Sequence, residues 1–208
     1  DAFIEDPLRM LRAVRFNARY NYGWDANTID LIRKNAHLLA DKSELPKERF
    51  LIEFEKMIGK SDLGRAIKLL VELGMYEAIF GIKSKINDYD KFKDARNVAE
   101  FAYMMFEDEP KESIVNLVKN NITNNKDIIS YIQAIILYKD KVKNKDISDL
   151  ERVGNLSKLY KLSKDAMLNS DLINDEDKII VKKLDSGLIP KDENSLAFKG
   201  QEFVNHIT

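Results

Sequence analysis

The chain has 208 residues, of which 44% are hydrophobic and 33% charged, and its 34 basic and 35 acidic side chains leave a net charge of −1. That is enough apolar material for a sizeable core, which excludes a disordered chain, and too balanced a charge for a generally basic nucleic-acid binder. The absence of cysteine excludes a disulfide framework and a Cys-based zinc site, and no apolar run reaches membrane-spanning length, so a cytoplasmic protein with no membrane partner is expected.

In chain order, the first predicted element is a helix from Asp6 or Pro7 to about Tyr20. Asp6 is a good N-cap, and Pro7 suits the first helical position because its missing N–H would have no partner there. Arg9, Arg12, Arg15 and Arg19 share a broad stripe at helical spacing, beside the apolar Leu8, Leu11, Val14 and Ala18. Asp6 lies one turn before Arg9, so both can face one ligand. A carboxylate accepts hydrogen bonds and a guanidinium donates them, so together they match the mixed edge of a nucleobase. A capped amphipathic helix with solvated or acid-paired arginines has the same pattern. The turn at Asn21–Trp24 follows. Phe16, Tyr20, Tyr22 and Trp24 cluster around it, and they are expected to staple the first two helices, with Phe16 and Trp24 buried and Tyr22 the best exposed candidate for base stacking.

A second helix is expected from a cap at Asp25 or Asn27 through Leu39, with His37 capping or packing at its end. A third follows Pro46 with Phe50, Leu51, Phe54, Met57 and Ile58 at helical spacing. A fourth runs from Asp62 to Leu73, and Gly74 is placed as a left-handed stop. Beyond Gly81 the composition turns to Lys, Asn, Asp and Ile, which suggests a boundary there. Further helices are expected over about 89–107, 110–120, 125–142, 147–162, 164–174 and 176–184, with a loop from Gly187 to Asn194. The fold class is therefore all-α: an elongated multi-helix bundle in two sub-regions, 1–81 and 82–208.

Seven of the nine arginines lie at positions 9, 12, 15, 19, 33, 49 and 65. Arginine suits bidentate phosphate and base contacts, so the first third is where a nucleotide would be read. The later Lys111, Lys119, Lys126, Lys139, Lys141, Lys143 and Lys145 are interspersed with acids, as on a solvated face; a backbone track for an RNA arm is the other reading. Asp88-Tyr89-Asp90 and Asp175-Glu176-Asp177 have the bare spacing of metal carboxylates, but they lie in polar stretches without a flanking strand and read as caps or loops. With only His37 and His206, no metal is expected to be held by this chain.

The run from Glu5 to Tyr20, then Asn35-Ala36-His37-Leu38-Leu39, then Arg49, Glu53 and Lys56, resembles the bacterial class II CCA-adding enzyme and poly(A) polymerase family, in the region just after its catalytic domain. The likeness is dense to about Gly81, thins beyond it, and returns at Leu196–Phe203, which looks like the family's tail element. The resemblance implies that Asp6 and Arg9, with Arg12 beside them, select the incoming CTP or ATP. It also implies that Arg49, Glu53 and Lys56 brace that helix, with Glu5 and Arg15 in support, and that Arg12 and Arg15 fix the helix or meet phosphate. The family's chemistry is two-metal phosphoryl transfer, which needs paired carboxylates for Mg²⁺ and a Gly-Gly turn for the triphosphate; neither can be placed here. The chain is thus expected to be the neck and body of an enzyme that adds CCA to tRNA 3′ ends. Catalytic residues and Mg²⁺ would then belong to an N-terminal head domain, and the fragment alone would be inactive. A poly(A) polymerase and a stand-alone helical RNA-binding or interaction module are the alternatives.

Overall fold

A computed structural model describes residues 2–191. Asp1, the end of the expected 187–194 loop, the tail-like 196–203 stretch and His206 lie outside the described residues. The described residues are helical throughout, with no strand. They divide into two compact units, with the division after Asn125.

The first unit opens with α1 (Ala2–Glu5) and α2 (Leu8–Tyr20). Pro7 is already in the helical region, with φ −58° and ψ −25°, and Asp6 Oδ1 accepts from Leu8 N at 3.3 Å, so one turn of helix precedes the expected start. Next come α3 (Ala26–Asn35), capped by Asp25 through Thr28 N at 2.8 Å, and a 3₁₀ turn over Ala36–Ala40 that carries His37. α4 (Lys47–Met57) starts after Pro46, and α5 (Leu63–Glu72) is capped by Asp62, whose carboxylate accepts from Arg65 N at 3.0 Å. Gly74, at φ +74°, ends that helix and begins α6 (Met75–Phe80).

The single helix expected over 89–107 is two pieces, a 3₁₀ turn at Asp90–Asp94 and α7 (Val98–Phe106). Asn97 separates them, because its side chain accepts from Glu100 N at 2.9 Å and caps a new helix. α8 (Lys111–Asn121) completes the unit.

α7 explains why the division falls after Asn125 and not at Gly81. All nine of its residues are buried. Phe101 lies 5.5 Å from Phe54 of α4, and Phe106 meets Phe80 edge-on at 5.1 Å, with Phe54 and Phe80 themselves 6.3 Å apart. A cut at residue 81 would run through this aromatic core. Tyr76 joins it, 2% exposed, and donates its hydroxyl to Met105 O at 3.1 Å; burial pushes the phenol well above its ordinary range.

The second unit contains α9 (Lys126–Lys141), α10 (Asp149–Leu162), α11 (Lys164–Asn169) and α12 (Asp175–Asp185). α11 is shorter than the expected 164–174 because Ser170 turns the chain and Asn174 caps α12 through Asp177 N at 2.9 Å. Ile132, Ile135, Leu156, Met167, Val181 and Leu184 form its core. One charged group sits inside: Asp177, 1% exposed, accepts from Tyr138 Oη at 2.8 Å and from Arg152 Nη1 at 3.1 Å. A buried carboxylate needs such partners.

Candidate nucleotide-reading site

Local sequence builds the site on two helices. α2 has Leu8, Met10, Leu11 and Val14 buried, so its arginines must lie on the remaining face. α4 buries Phe50, Phe54 and Met57, and the same inward stripe carries Glu53, a carboxylate only 2% exposed. That charge is balanced by three cations.

Glu53 Oε2 accepts from Arg15 Nε at 3.0 Å, and its Oε1 accepts from Arg12 Nε at 3.3 Å and from Lys56 Nζ at 3.5 Å. Arg12 continues the chain, donating through Nη1 to Asp6 Oδ2 at 3.2 Å. Arg49 closes it from α4, donating through Nη2 to Asp6 Oδ1 at 3.2 Å. Asp6, Arg12, Arg15, Arg49, Glu53 and Lys56 are thus one network of charge-assisted hydrogen bonds joining the start of α2 to α4.

The network leaves Arg9 out. Among the described residues its guanidinium has no hydrogen-bond or ion-pair partner, and it is exposed. Asp6 accepts three bonds of the roughly four a carboxylate can take, so one acceptor position is open one turn from Arg9. The four arginines of α2 therefore divide: Arg12 and Arg15 are held by acids, whereas Arg9 and Arg19 are exposed without an acid partner among the described residues. Glu5 is exposed on α1.

The aromatic cluster departs from expectation. Phe16 is 44% exposed, Tyr20 48% and Tyr22 65%, whereas burial of Phe16 was expected. α2 needs only one apolar stripe, and Met10, Leu11, Val14 and Ala18 fill it; Phe16 falls outside. Trp24 is half-buried.

A cleft of about 210 Å³ lined by Arg65, Lys68, Lys93 and Tyr89 lies at the start of α5. Its cations are already engaged: Arg65 Nε donates to Asn17 Oδ1 at 2.9 Å, Lys93 to Asp90 Oδ2 at 2.6 Å, and Lys68 lies 3.8 Å from Glu72.

The acidic triplets of the sequence do not assemble a cluster among the described residues. No group of three His, Asp or Glu side chains among them is placed to hold a metal ion. Asp88 accepts from Asp90 N at 2.9 Å, Asp90 pairs with Lys93, and Asp177 is taken by Tyr138 and Arg152. His37 is exposed, with Nδ1 3.0 Å from Lys34 O. No helix among the described residues is long and apolar enough to cross a membrane.

Part of the chain is similar to known proteins. Residues 24–87 match the family described as "Probable RNA and SrmB- binding site of polymerase A". A CCA-adding enzyme of Geobacillus is 38% identical over 86 residues, which are 41% of this chain and 20% of that protein. The CCA-adding enzyme of Ligilactobacillus salivarius is 28% identical over 88% of this chain and 48% of its own length, and a tRNA nucleotidyltransferase of Schizosaccharomyces pombe is 32% identical over 39% of this chain and 16% of its own. The chain therefore spans from about a sixth to about half of these relatives. No solved structure matches it. Residues 24–87 thus resemble the RNA-binding segment of polymerase A, and the chain is similar to CCA-adding enzymes and a tRNA nucleotidyltransferase over part of their length.

Proposed function

We infer that this chain is the nucleotide-selecting and RNA-binding part of a cytoplasmic tRNA nucleotidyltransferase that adds CCA to tRNA 3′ ends, using CTP and ATP. The observation that carries the reading is the contrast between Asp6, clamped by Arg12 and Arg49, and Arg9, one turn on, exposed and without a partner among the described residues. An acceptor fixed by two guanidiniums and a free donor beside it suit the Watson–Crick edge of a nucleobase, whose mixed pattern neither residue could satisfy alone. Arg12 contributes by holding the Asp6 carboxylate, and Arg15, Arg49, Glu53 and Lys56 hold the helix that presents it.

Mg²⁺ and the reacting phosphates belong, in this reading, to a catalytic head domain with which the chain works. This chain's residues bind and orient the base, and alone they select without catalysing.

The test uses the full-length parent protein, a tRNA lacking its last three nucleotides, and CTP and ATP supplied singly and together. The CCA reading expects two C additions followed by one A; long A tracts from ATP alone would identify a poly(A) polymerase instead. Arg9→Ala is expected to lower discrimination among nucleotides by tenfold or more. Unchanged C and A selectivity in that variant would sink the assignment of Arg9.

A further inference from the structure

We propose that the exposed rings of Phe16, Tyr20 and Tyr22, with the guanidinium of Arg19, form a stacking platform for the unpaired bases of a single-stranded RNA. This deepens the reading above, on which it rests for the class of ligand.

The rings already form a row. Phe16 and Tyr20 stack with centroids 6.2 Å apart and planes 12° apart, and Tyr20 and Tyr22 with centroids 5.6 Å apart and planes 27° apart. All three are exposed, so the row does not staple a core. Arg15 lies 4.4 Å from the Phe16 centroid and Arg19 5.1 Å from that of Tyr20. Tyr22, at 65% exposure, therefore has the most open ring.

The turn that places Tyr22 is built and held. Asn21 takes the left-handed conformation at φ 53°, with its N–H on Asn17 O at 2.9 Å. Buried Asn17 donates its amide to Tyr22 O and accepts from Arg65 Nε, and Arg65 also donates to Asn21 Oδ1. A side chain presented by such a fixed turn loses little freedom on binding.

Charge decides what would cover the row. Of the four arginines of α2, Arg12 and Arg15 are paired with Asp6 and Glu53, which leaves Arg9 and Arg19 without an acid partner among the described residues. A polyanion whose bases have flat faces meets both halves of the surface: aromatic rings stack on any base, and guanidiniums meet phosphates. The row also lies in line with Arg9. Phe16 and Tyr20 follow Arg9 by seven and eleven residues, which at 3.6 residues per turn returns each to within roughly 20° of the same stripe, about 10 and 16 Å along the axis. A strand resting on the rings would therefore run along the face that ends at the base-reading position.

The experiment measures binding of a fluorescent twelve-nucleotide single-stranded RNA, and of a blunt RNA duplex, to the full chain by anisotropy. Tyr22→Ala is expected to weaken single-strand binding roughly tenfold, with duplex binding little changed, and Tyr22→Phe to restore it where Tyr22→Leu does not. Arg19→Ala is expected to weaken it with a shallower dependence on salt. Equal affinity of wild type and Tyr22→Ala, or rescue by Leu as good as by Phe, would overturn the platform, as would Tyr22→Ala changing only the oligomeric state in sedimentation. A wild-type chain that does not bind the single strand overturns it as well. Base selectivity at Arg9, measured separately, reports on the functional reading alone, so the two can fail independently.

Discussion

Asp6 and Arg49, 43 residues apart in sequence, meet at 3.2 Å, and through that contact α4 sets the direction of the carboxylate at the head of α2. The same helix supplies Glu53, which holds Arg12 and Arg15. Orientation and stability are divided between these two acids. Asp6 is partly solvated, with 23% side-chain exposure, whereas Glu53 has 3%.

Glu53→Ala is therefore expected to be the most damaging single change in the site. Removing the buried acceptor leaves Arg15, itself only 12% exposed, without its partner, and such losses run to about 3 kcal/mol. Glu53→Gln should lose less, because it keeps the volume and one acceptor oxygen. Urea denaturation checks both, as a lower midpoint at unchanged slope.

The Asp6–Arg49 pair should behave differently. With side-chain exposures of 23% and 42%, its coupling in a double-mutant cycle is expected to stay under about 1 kcal/mol and to shrink in high salt. Arg49→Ala should then leave stability nearly intact and, on the proposed reading of the site, reduce nucleotide discrimination. A coupling as large as that of Arg15 with Glu53 would contradict this division.

Gly64 provides a test of packing against propensity. Ala is favoured over Gly within a helix, by about 1 kcal/mol in the interior and by less in the first turn, where Gly64 lies. A Cβ at this position, however, would lie 2.4 Å from the backbone oxygen of Tyr89, which cannot move as a side-chain tip can. Gly64→Ala is expected to destabilise by about 1–3 kcal/mol net, read as a lower melting temperature.

Tyr76 sets an alkaline limit. Burial raises its pKa above the ordinary 10.0, so above that pH the unfolded chain releases a proton that the folded chain keeps. Fewer protons bound in the unfolded state make stability fall as pH rises. The Tyr76 contribution is fully present below pH 10 and lost progressively above it. Tyr76→Phe is expected to lower stability near neutrality by about 1 kcal/mol, through the lost bond to Met105 O, and to make the alkaline decline shallower. Chemical denaturation between pH 8 and 11 would show both.

Sequence alone determined what neighbours along the chain decide. The caps at Asp25 and Asp62, the start after Pro46 and the stop at Gly74 depend on hydrogen bonds and dihedral preferences within a turn, and each stands where local chemistry puts it. The helical class follows from the same rules. The break at Asn97 was legible, since Asn is a good cap and the chain turns there from the charged 90–96 stretch to the apolar run of α7.

Tertiary structure decided everything that depends on which face meets which. The arginines of α2 look alike in a periodic reading; the approach of Glu53 from α4, with Asp6 on Arg12, engages Arg12 and Arg15 and leaves Arg9 and Arg19 outward. Phe16 is apolar by type, yet the core was already filled by Met10, Leu11 and Val14, so it lies in solvent against Tyr20. The limit of the first unit was set by α7, whose phenylalanines complete a core begun some fifty residues earlier at Phe54. Composition changes at Gly81, but long-range side-chain contact and not composition closes a domain, and no window of sequence contains that contact.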